Sequence, residues 1–242
     1  MDTIREAWVA NLSWKEIENR IDTGANGILP VGAASKEHGL HLPMNTDQIQ
    51  AEWFAWQLAE TENILIWPTV TYGYYPAFTE YAGSCSLNSG TFTKIIGEIL
   101  ESILHSGISH VLVINTGIST IPPLEQAINC PACKSRVSLF NAYSGRQFIQ
   151  VQNNIQQQKD GGHADEIETS IMLAIAPERV DMDLAETCIT KSSRGVLTHR
   201  QPDSPRYSAS GVVGDAVLAT AEKGRQLCDA ILLDLVNTYR HL

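Results

Sequence analysis

The sequence predicts an α/β protein built around one mostly parallel sheet, and two observations lead to this fold class. Apolar runs of strand length alternate along the chain with segments whose apolar residues recur at helical spacing. This alternation is the pattern of βαβ units. The apolar runs are also nearly continuous, as expected for strands that are covered by helices on both faces.

Four strands and four helices are predicted from these patterns. The strands are expected at residues 27–33, 63–70, 110–116 and 136–142. The helices are expected at residues 48–61, 91–106, 166–176 and 215–239. Gly107 and Pro177 directly follow two of these helices, and both residue types commonly end a helix. Because no change of composition marks a boundary, residues 1–242 are expected to form one domain, with residues 192–210 as a long surface loop.

The composition is that of an ordinary globular protein. Of 242 residues, 43% are hydrophobic and 18% are charged, and no apolar run approaches the roughly 20 residues that a membrane span needs. The first residues lack the basic and apolar regions of a signal peptide, so a cytoplasmic location is expected. The formal net charge of −10 argues against nucleic acid or an anionic membrane as the main partner.

The cysteines do not suggest a disulfide framework, because there are five of them and they are widely spaced. Cys130 and Cys133 form a lone C-x-x-C motif. A zinc ribbon would require a second pair, and the neighbouring pattern gives a thioredoxin-like site no support. An ordinary loop or the end of a secondary-structure element is therefore the favoured interpretation.

Residues that could carry chemistry are concentrated just after the first predicted strand. Glu37, His38, His41 and Asp47 all lie in this short segment. Zn²⁺, Mn²⁺ and Fe²⁺ favour mixed nitrogen and oxygen ligands, and α/β proteins commonly place their active site at the carboxyl ends of the strands. The segment therefore predicts a metal site. The alternative is a polar loop in which Asp47 caps the following helix.

A second candidate segment begins with Gly161 and Gly162. His163 follows these glycines and precedes a predicted helix that is rich in carboxylates. A histidine in this position could act as a general acid or base. The positive end of the helix is expected to lower its pKa. A purely structural role is the alternative.

A third candidate segment directly follows the third predicted strand. Asn115, Gly117 and Ser119 lie in this polar turn, where they could form one wall of a substrate site. A simple connection between strand and helix is the alternative.

Together these segments resemble the creatininase family, the creatinine amidohydrolase-like metal hydrolases. The family pattern L-P-V-G-S-x-E-Q-H-G-x-H-L-P-x-x-x-D is similar to residues 29–47. A second signature, a histidine followed after a short spacer by E-T-S-x-M-L-A, is similar to His163 with residues 168–174. The family's closing segment is similar to residues 211–224. The resemblance spans about residues 6–230.

This resemblance implies a three-layer α/β/α fold with a mostly parallel central sheet. It also implies a centre of one or two divalent ions, Zn, Mn or Fe, that activates water to hydrolyse a C–N bond in a small cyclic amide or formamide. Members of the family often form homo-oligomers, hexamers among them. The expected partners of this chain are thus a small-molecule substrate and further copies of itself.

The resemblance also implies roles for individual residues. His38 and Asp47 occupy metal-ligand positions, and Glu37 and His41 are further candidates beside them. His163 occupies the position of a catalytic histidine. The catalytic candidates are therefore His163 and Glu168, which lies in the same signature, and the substrate-binding candidates are Asn115, Gly117 and Ser119.

The chain departs from the family pattern at two places that bear on the metal centre. Lys36 stands where the family has its first acidic ligand, and residues 115–120 contain no histidine or carboxylate where the family has N-G-H-x-x-N. All five tryptophans lie at or before residue 67, so the tryptophans that line the family's creatinine pocket have no counterpart. Creatinine is therefore not the expected substrate.

Three hypotheses about function remain open at this point. The favoured one is a metal-dependent amidohydrolase with an unassigned substrate. The second is a non-catalytic member that binds a small ligand or serves as a scaffold after losing part of the metal centre. The third and weakest is a metal-free hydrolase that uses Cys85 or Ser119 together with His163.

Overall fold

The structure, a computed structural model, describes residues 7–242. The helices in chain order are α1 (Trp14–Asp22), α2 (Thr46–Ala59), α3 (Ser89–His105), α4 (Ile121–Ile128), α5 (Arg146–Ile155), α6 (Glu166–Ile175) and α7 (Ala221–Tyr239). The strands are β1 (Asn26–Val31), β2 (Ile64–Ile66), β3 (Val111–Asn115), β4 (Val137–Asn141), β5 (Thr187–Cys188) and β6 (Gly214–Asp215). Short 3₁₀ helices lie at Val9–Asn11, Pro76–Phe78, Ala142–Ser144, Pro177–Arg179, Met182–Leu184 and Ala216–Leu218.

The central sheet has four strands in the order β2-β1-β3-β4, and every neighbouring pair is parallel. β5 and β6 form a separate antiparallel pair. All four predicted main strands are thus confirmed. The second is shorter than expected, because it ends at Ile66, two residues before Pro68. Proline has no backbone N–H to extend a ladder.

Helices cover both faces of this sheet, which confirms the predicted three-layer α/β/α fold. Neighbouring side chains of β1 point to opposite faces. Ile28 packs in the core with Phe54 of α2 and Ile231 of α7, whereas Leu29 packs with Ile96 of α3. The near-continuous hydrophobicity of the strands follows from this double coverage.

The predicted helices are confirmed with adjusted ends. The last of them begins at Ala221 rather than at residue 215, because the Thr220 hydroxyl accepts a hydrogen bond from Lys223 N and caps α7 there. The helices α1, α4 and α5 were not predicted. Within residues 7–242, no helix has both the length and the apolar character to cross a bilayer.

The C-x-x-C motif lies in turns just after α4, as its interpretation as an ordinary loop or element end predicted. Cys130 Sγ accepts a hydrogen bond from the Cys133 backbone N–H. Burial raises the pKa of the Cys133 thiol to about 12, so this thiol is held in its unreactive protonated form.

Two helical glycines offer a matched test of the packing between α6 and α7. A Cβ atom on Gly224 would lie 1.8 Å from the Ser170 carbonyl oxygen, whereas a Cβ on Gly97 of α3 would meet nothing within 4 Å. We expect Gly224→Ala to lower the free energy of unfolding by about 3 kcal/mol. Gly97→Ala should raise it by roughly 0.5–1 kcal/mol. Urea unfolding of both variants measures this, and equal effects would contradict the close approach of α6 and α7.

Candidate active site

The candidate residues meet where three segments come together. The loop after β1 supplies Lys36 to His41, the first turn of α2 supplies Asp47, and the segment entering α6 supplies His163 and Glu168. A backbone bridge between His163 and Val213 holds the last segment in place. The third predicted segment, the loop after β3, adjoins them, because the Thr116 hydroxyl donates to the Asp47 backbone carbonyl at 2.8 Å.

Asp47 is not the helix cap that the alternative interpretation required. Asn45 is the cap residue of α2, and Asp47 lies inside the first turn with a fully buried side chain. Its Oδ1 lies 3.0 Å from His38 Nε2, and its Oδ2 lies 2.7 Å from Lys36 Nζ. A carboxylate with these partners belongs to the polar site rather than to the helix end.

The His38 ring is oriented by a backbone carbonyl. Its Nδ1 lies 2.8 Å from the carbonyl oxygen of Lys36, and since a carbonyl can only accept, Nδ1 carries the proton. In the neutral ring, Nε2 then presents its lone pair to Asp47 Oδ1 at 3.0 Å and to Glu168 Oε1 at 3.6 Å. A lone pair facing two carboxylates is repulsive unless a proton or a cation lies between them. Metal-binding histidines are commonly oriented in this way.

The His163 ring is likewise oriented by a backbone carbonyl, and it faces the other oxygen of Glu168. Its Nε2 lies 2.8 Å from the carbonyl oxygen of Glu37 and 3.1 Å from Glu37 Oε2, so Nε2 donates to this pair. Its Nδ1 faces Glu168 Oε2 at 3.7 Å. The two rings therefore turn one nitrogen each toward the same Glu168 carboxylate.

The backbone beside Glu168 supports this geometry. The Ala164 N–H donates to Glu168 Oε2 at 2.7 Å. Ala164 has a φ of 48°, a left-handed conformation that costs a non-glycine residue about 1–2 kcal/mol. Backbone strain of this kind tends to persist at functional sites, where the surrounding structure enforces it.

Lys36 brings a positive charge into the buried cluster that is formed by Glu37, His38, Asp47, His163 and Glu168. It is only 6% exposed, and its Nζ lies 5.2 Å from the Phe78 ring centroid and 5.8 Å from that of Tyr75. Burial alone would lower the pKa of Lys36, but the attraction of Asp47 and Glu168 holds it above its usual value. The ammonium is thus a permanent cation of the site.

The same contacts shift the pKa values of the neighbouring groups. Burial opposes the charge of Asp47, but neighbouring positive charge, above all that of the Lys36 ammonium, holds the pKa of Asp47 well below its usual range. Glu37 and His163 form a similar pair, in which the pKa of Glu37 is lowered and that of His163 is raised despite their burial. The expected fall in the pKa of His163 was therefore wrong, because the Glu37 carboxylate outweighs burial and Asp165 rather than His163 caps α6.

His41 lies at the edge of the cluster. Its Nε2 is 2.8 Å from Thr169 Oγ1, beside Glu168 on α6, and its Nδ1 is buried without a hydrogen-bond partner among residues 7–242. Burial lowers the pKa of His41. The ring therefore contacts the site through α6.

The polar atoms of the loop after β3 are largely engaged with one another. Asn115 Oδ1 accepts from Thr120 Oγ1, and Asn115 Nδ2 donates to the Gly117 carbonyl. The Ser119 hydroxyl donates to the Tyr74 carbonyl at 2.7 Å. Their role in substrate binding stays a prediction. Within residues 7–242, neither Ser119 nor the exposed Cys85 contacts His163 by a hydrogen bond, so the metal-free hypothesis gains no support.

A cavity of 460 Å³ opens beside the cluster. Its walls include Phe78, Gly162, His163 and Arg206. The Phe78 ring lies against His163, with the two centroids 4.2 Å apart. Sequence reasoning missed Phe78, Tyr75 and Arg206, because none lies in a motif and only tertiary packing brings them to the site.

The donor set fits one divalent ion. Ligand atoms of His38, His163 and Glu168 lie within 4.8 Å of one another. A tetrahedral Zn²⁺ ion with bonds of ~2.0–2.1 Å separates its ligands by roughly 3.4 Å. The observed separations are similar, at 3.6 Å from His38 Nε2 to Glu168 Oε1 and 3.7 Å from His163 Nδ1 to Glu168 Oε2. The positive charge of Lys36 Nζ, 2.7 Å from Asp47 Oδ2, would repel a second ion beside that oxygen.

The Lys36–Asp47 pair can be tested by a double-mutant cycle on chelator-treated protein. Asp47→Asn leaves a buried ammonium without its counter-ion, so it should lower the free energy of unfolding by about 3–5 kcal/mol. Lys36→Met combined with Asp47→Asn should cost clearly less than the sum of the single variants, with a coupling above ~1 kcal/mol. Additive losses in denaturant unfolding would show that the pair does not interact.

Comparison with known proteins identifies the family to which this chain is similar. A family model described as creatinine amidohydrolase matches residues 10–239. The creatinine amidohydrolase of Pseudomonas putida is 25% identical, with 98% of this chain and 97% of that protein covered. The 3-dehydro-scyllo-inosose hydrolase of Thermotoga maritima is 24% identical, with 91% and 78% covered.

A solved structure described as "Creatininase Mn" shares the fold. It superimposes with a TM-score of 0.82 at 24% identity, and the alignment covers 97% of this chain and 98% of the other. The family match spans nearly all of the described residues and includes each segment of the candidate site. The chain therefore belongs to the creatininase family.

Proposed function

We propose that this chain is an amidohydrolase that uses one divalent metal ion to hydrolyse a C–N bond in a small cyclic amide or formamide. The observation that carries the proposal is the lone pair of His38 Nε2, which faces the carboxylates of Asp47 and Glu168. A cation between these groups removes the repulsion. The chain also belongs to the creatininase family, and two of its relatives are described as hydrolases, which supports the proposal.

His38, His163 and Glu168 would hold this ion. Three protein ligands that leave one position open are typical of catalytic zinc sites. When bound, the ion would polarise the substrate carbonyl and lower the pKa of a bound water. His163 and Glu168, for which the family resemblance implies catalytic roles, would thus act at the ion itself. Glu37 would fix the His163 ring, as carboxylates commonly do for metal-binding histidines.

Asp47 and Lys36 would complete the chemistry. Asp47 Oδ1 lies beside His38 Nε2, where the ionised carboxylate would accept a hydrogen bond from the attacking water and orient it. Lys36 binds the other oxygen, keeps Asp47 deprotonated between turnovers and adds a fixed positive charge. Of the one or two ions expected, we propose one, because the Lys36 ammonium would take the place of the second cation.

The cavity and the relatives favour a small substrate. A volume of 460 Å³ lies at the lower end of the range common for small-molecule sites. The two named relatives act on different small molecules by their descriptions. The metal could be zinc, manganese or iron, since all three accept nitrogen and oxygen ligands.

We expect a cytoplasmic homo-oligomer, and hexamers are among the assemblies that the family resemblance implies. Leu40, Tyr72 and Ile118 are each more than half exposed, and they lie on the loops that follow β1, β2 and β3. Exposed apolar side chains at one edge of the sheet are suited to contacts between subunits. Light scattering on the purified chain measures the mass of the assembly.

A second candidate function is a non-catalytic member that binds a small ligand or serves as a scaffold. The Lys36–Asp47 ion pair favours it, because the pair neutralises one carboxylate of the site without any metal. Under this hypothesis a proton rather than a metal would lie on His38 Nε2. The two functions differ in whether the chain binds a transition metal.

Elemental analysis of untagged, reconstituted protein tests the proposed function. We expect about one equivalent of zinc, manganese or iron per chain, and loss of it in His38→Ala and Glu168→Ala because each removes a ligand. His105→Ala, at the end of α3 and away from the cluster, is the matched control and should keep the metal.

Turnover of a panel of cyclic amides and formamides should disappear in the same two variants that lose the metal. A metal content that is unchanged in His38→Ala would place the ion elsewhere. A wild-type chain that binds no metal after reconstitution would overturn the hydrolase and favour the non-catalytic member.

A further inference from the structure

Arg206 stands out on the wall of the cavity that it shares with His163. Its side chain belongs to the segment that the sequence indicated as a surface loop, yet the residue is only 8% exposed. Arginine is rarely buried to this extent without a charged partner. Within residues 7–242, no carboxylate lies within ion-pair distance of its guanidinium.

The guanidinium is anchored through one of its three nitrogens. Nη1 donates to Thr190 Oγ1 at 3.0 Å and to the Ser192 carbonyl at 2.8 Å. Nε is buried and has no acceptor among residues 7–242. The edge formed by Nε and Nη2 is therefore left without a partner, while the rest of the group is held in place.

The surroundings do not neutralise this charge. Burial lowers the pKa of Arg206, and the charge effect that opposes this shift comes from the Tyr81 phenol rather than from a carboxylate. Asp160 and Lys191 also line the cavity, but both are exposed side chains and neither bonds to Arg206. A buried donor that lacks an acceptor costs free energy, which a ligand that supplies the acceptor would recover.

We propose that Arg206 binds a carboxylate on the substrate, so that this site takes a small amide that carries a free carboxylate. The planar edge of a guanidinium matches the two oxygens of a carboxylate in a bidentate pair. With Nη1 fixed by the loop, the Nε–Nη2 edge is the part of the group that can form this pair. His163 lies on the same cavity wall, so a carboxylate at Arg206 would orient the amide toward the proposed metal site.

That the substrate is an amide rests on the proposed hydrolase function. Binding of a carboxylate by Arg206 does not require turnover. Binding can therefore be measured separately. The probes are two matched pairs: 5-oxoproline with its primary amide, and N-formylglycine with its primary amide. Each pair differs only in whether the end group is a carboxylate or a neutral carboxamide.

Ligand-observed NMR titration of the reconstituted wild type should show that each acid binds about tenfold tighter than its amide. Arg206→Gln should abolish this preference and leave the affinity for the amides nearly unchanged. Arg206→Lys should keep part of the preference, because it retains the charge but not the planar fork. Arg194→Gln removes an exposed arginine of the same loop and should behave as the wild type.

Equal affinity of acids and amides for the wild type, or no binding of either, would overturn the carboxylate subsite. A preference that persists in a folded Arg206→Gln would also overturn it. If Arg206→Gln fails to fold, as judged by circular dichroism, the wild-type pairs and Arg206→Lys still decide the question. Failure of the hydrolase appears instead as a chain without metal or turnover.

Discussion

A buried ammonium beside a buried carboxylate governs the chemistry of this site. Lys36 Nζ and Asp47 Oδ2 are 2.7 Å apart, and their side chains are almost completely enclosed. Two charges in such a place are tolerated only when each satisfies the other. The pair therefore keeps Asp47 ionised, keeps Lys36 protonated and gives the cluster a cation that cannot dissociate.

The arrangement of the two histidines follows from neighbouring backbone. The carbonyls of Lys36 and Glu37, at consecutive positions in the chain, accept from His38 and His163 respectively. The other nitrogen of each ring therefore points toward Glu168. One short turn after β1 thus sets both the positive charge of the site and the direction in which its proposed metal ligands point.

The fold could be predicted because its signals are local and repeated. Apolar runs such as the one around Ile28 and Leu29 need only their own neighbours to be recognised as buried strands. Asp47 and His38 could be predicted as site residues for the same reason, since they lie in one segment. The pKa of His163 was misjudged because Glu37, which controls it, is 126 positions away in the chain. Arg206 was missed because its burial depends on how a loop without regular pattern packs against the cavity.

We propose that Lys36 takes the place of a second cation, so that the site holds a single metal ion. Electron paramagnetic resonance of protein saturated with Mn²⁺ tests it most directly, because nearby manganese ions couple magnetically and isolated ones do not. We expect the signal of isolated, protein-bound Mn²⁺ at saturation. The signal of an exchange-coupled manganese pair would contradict it.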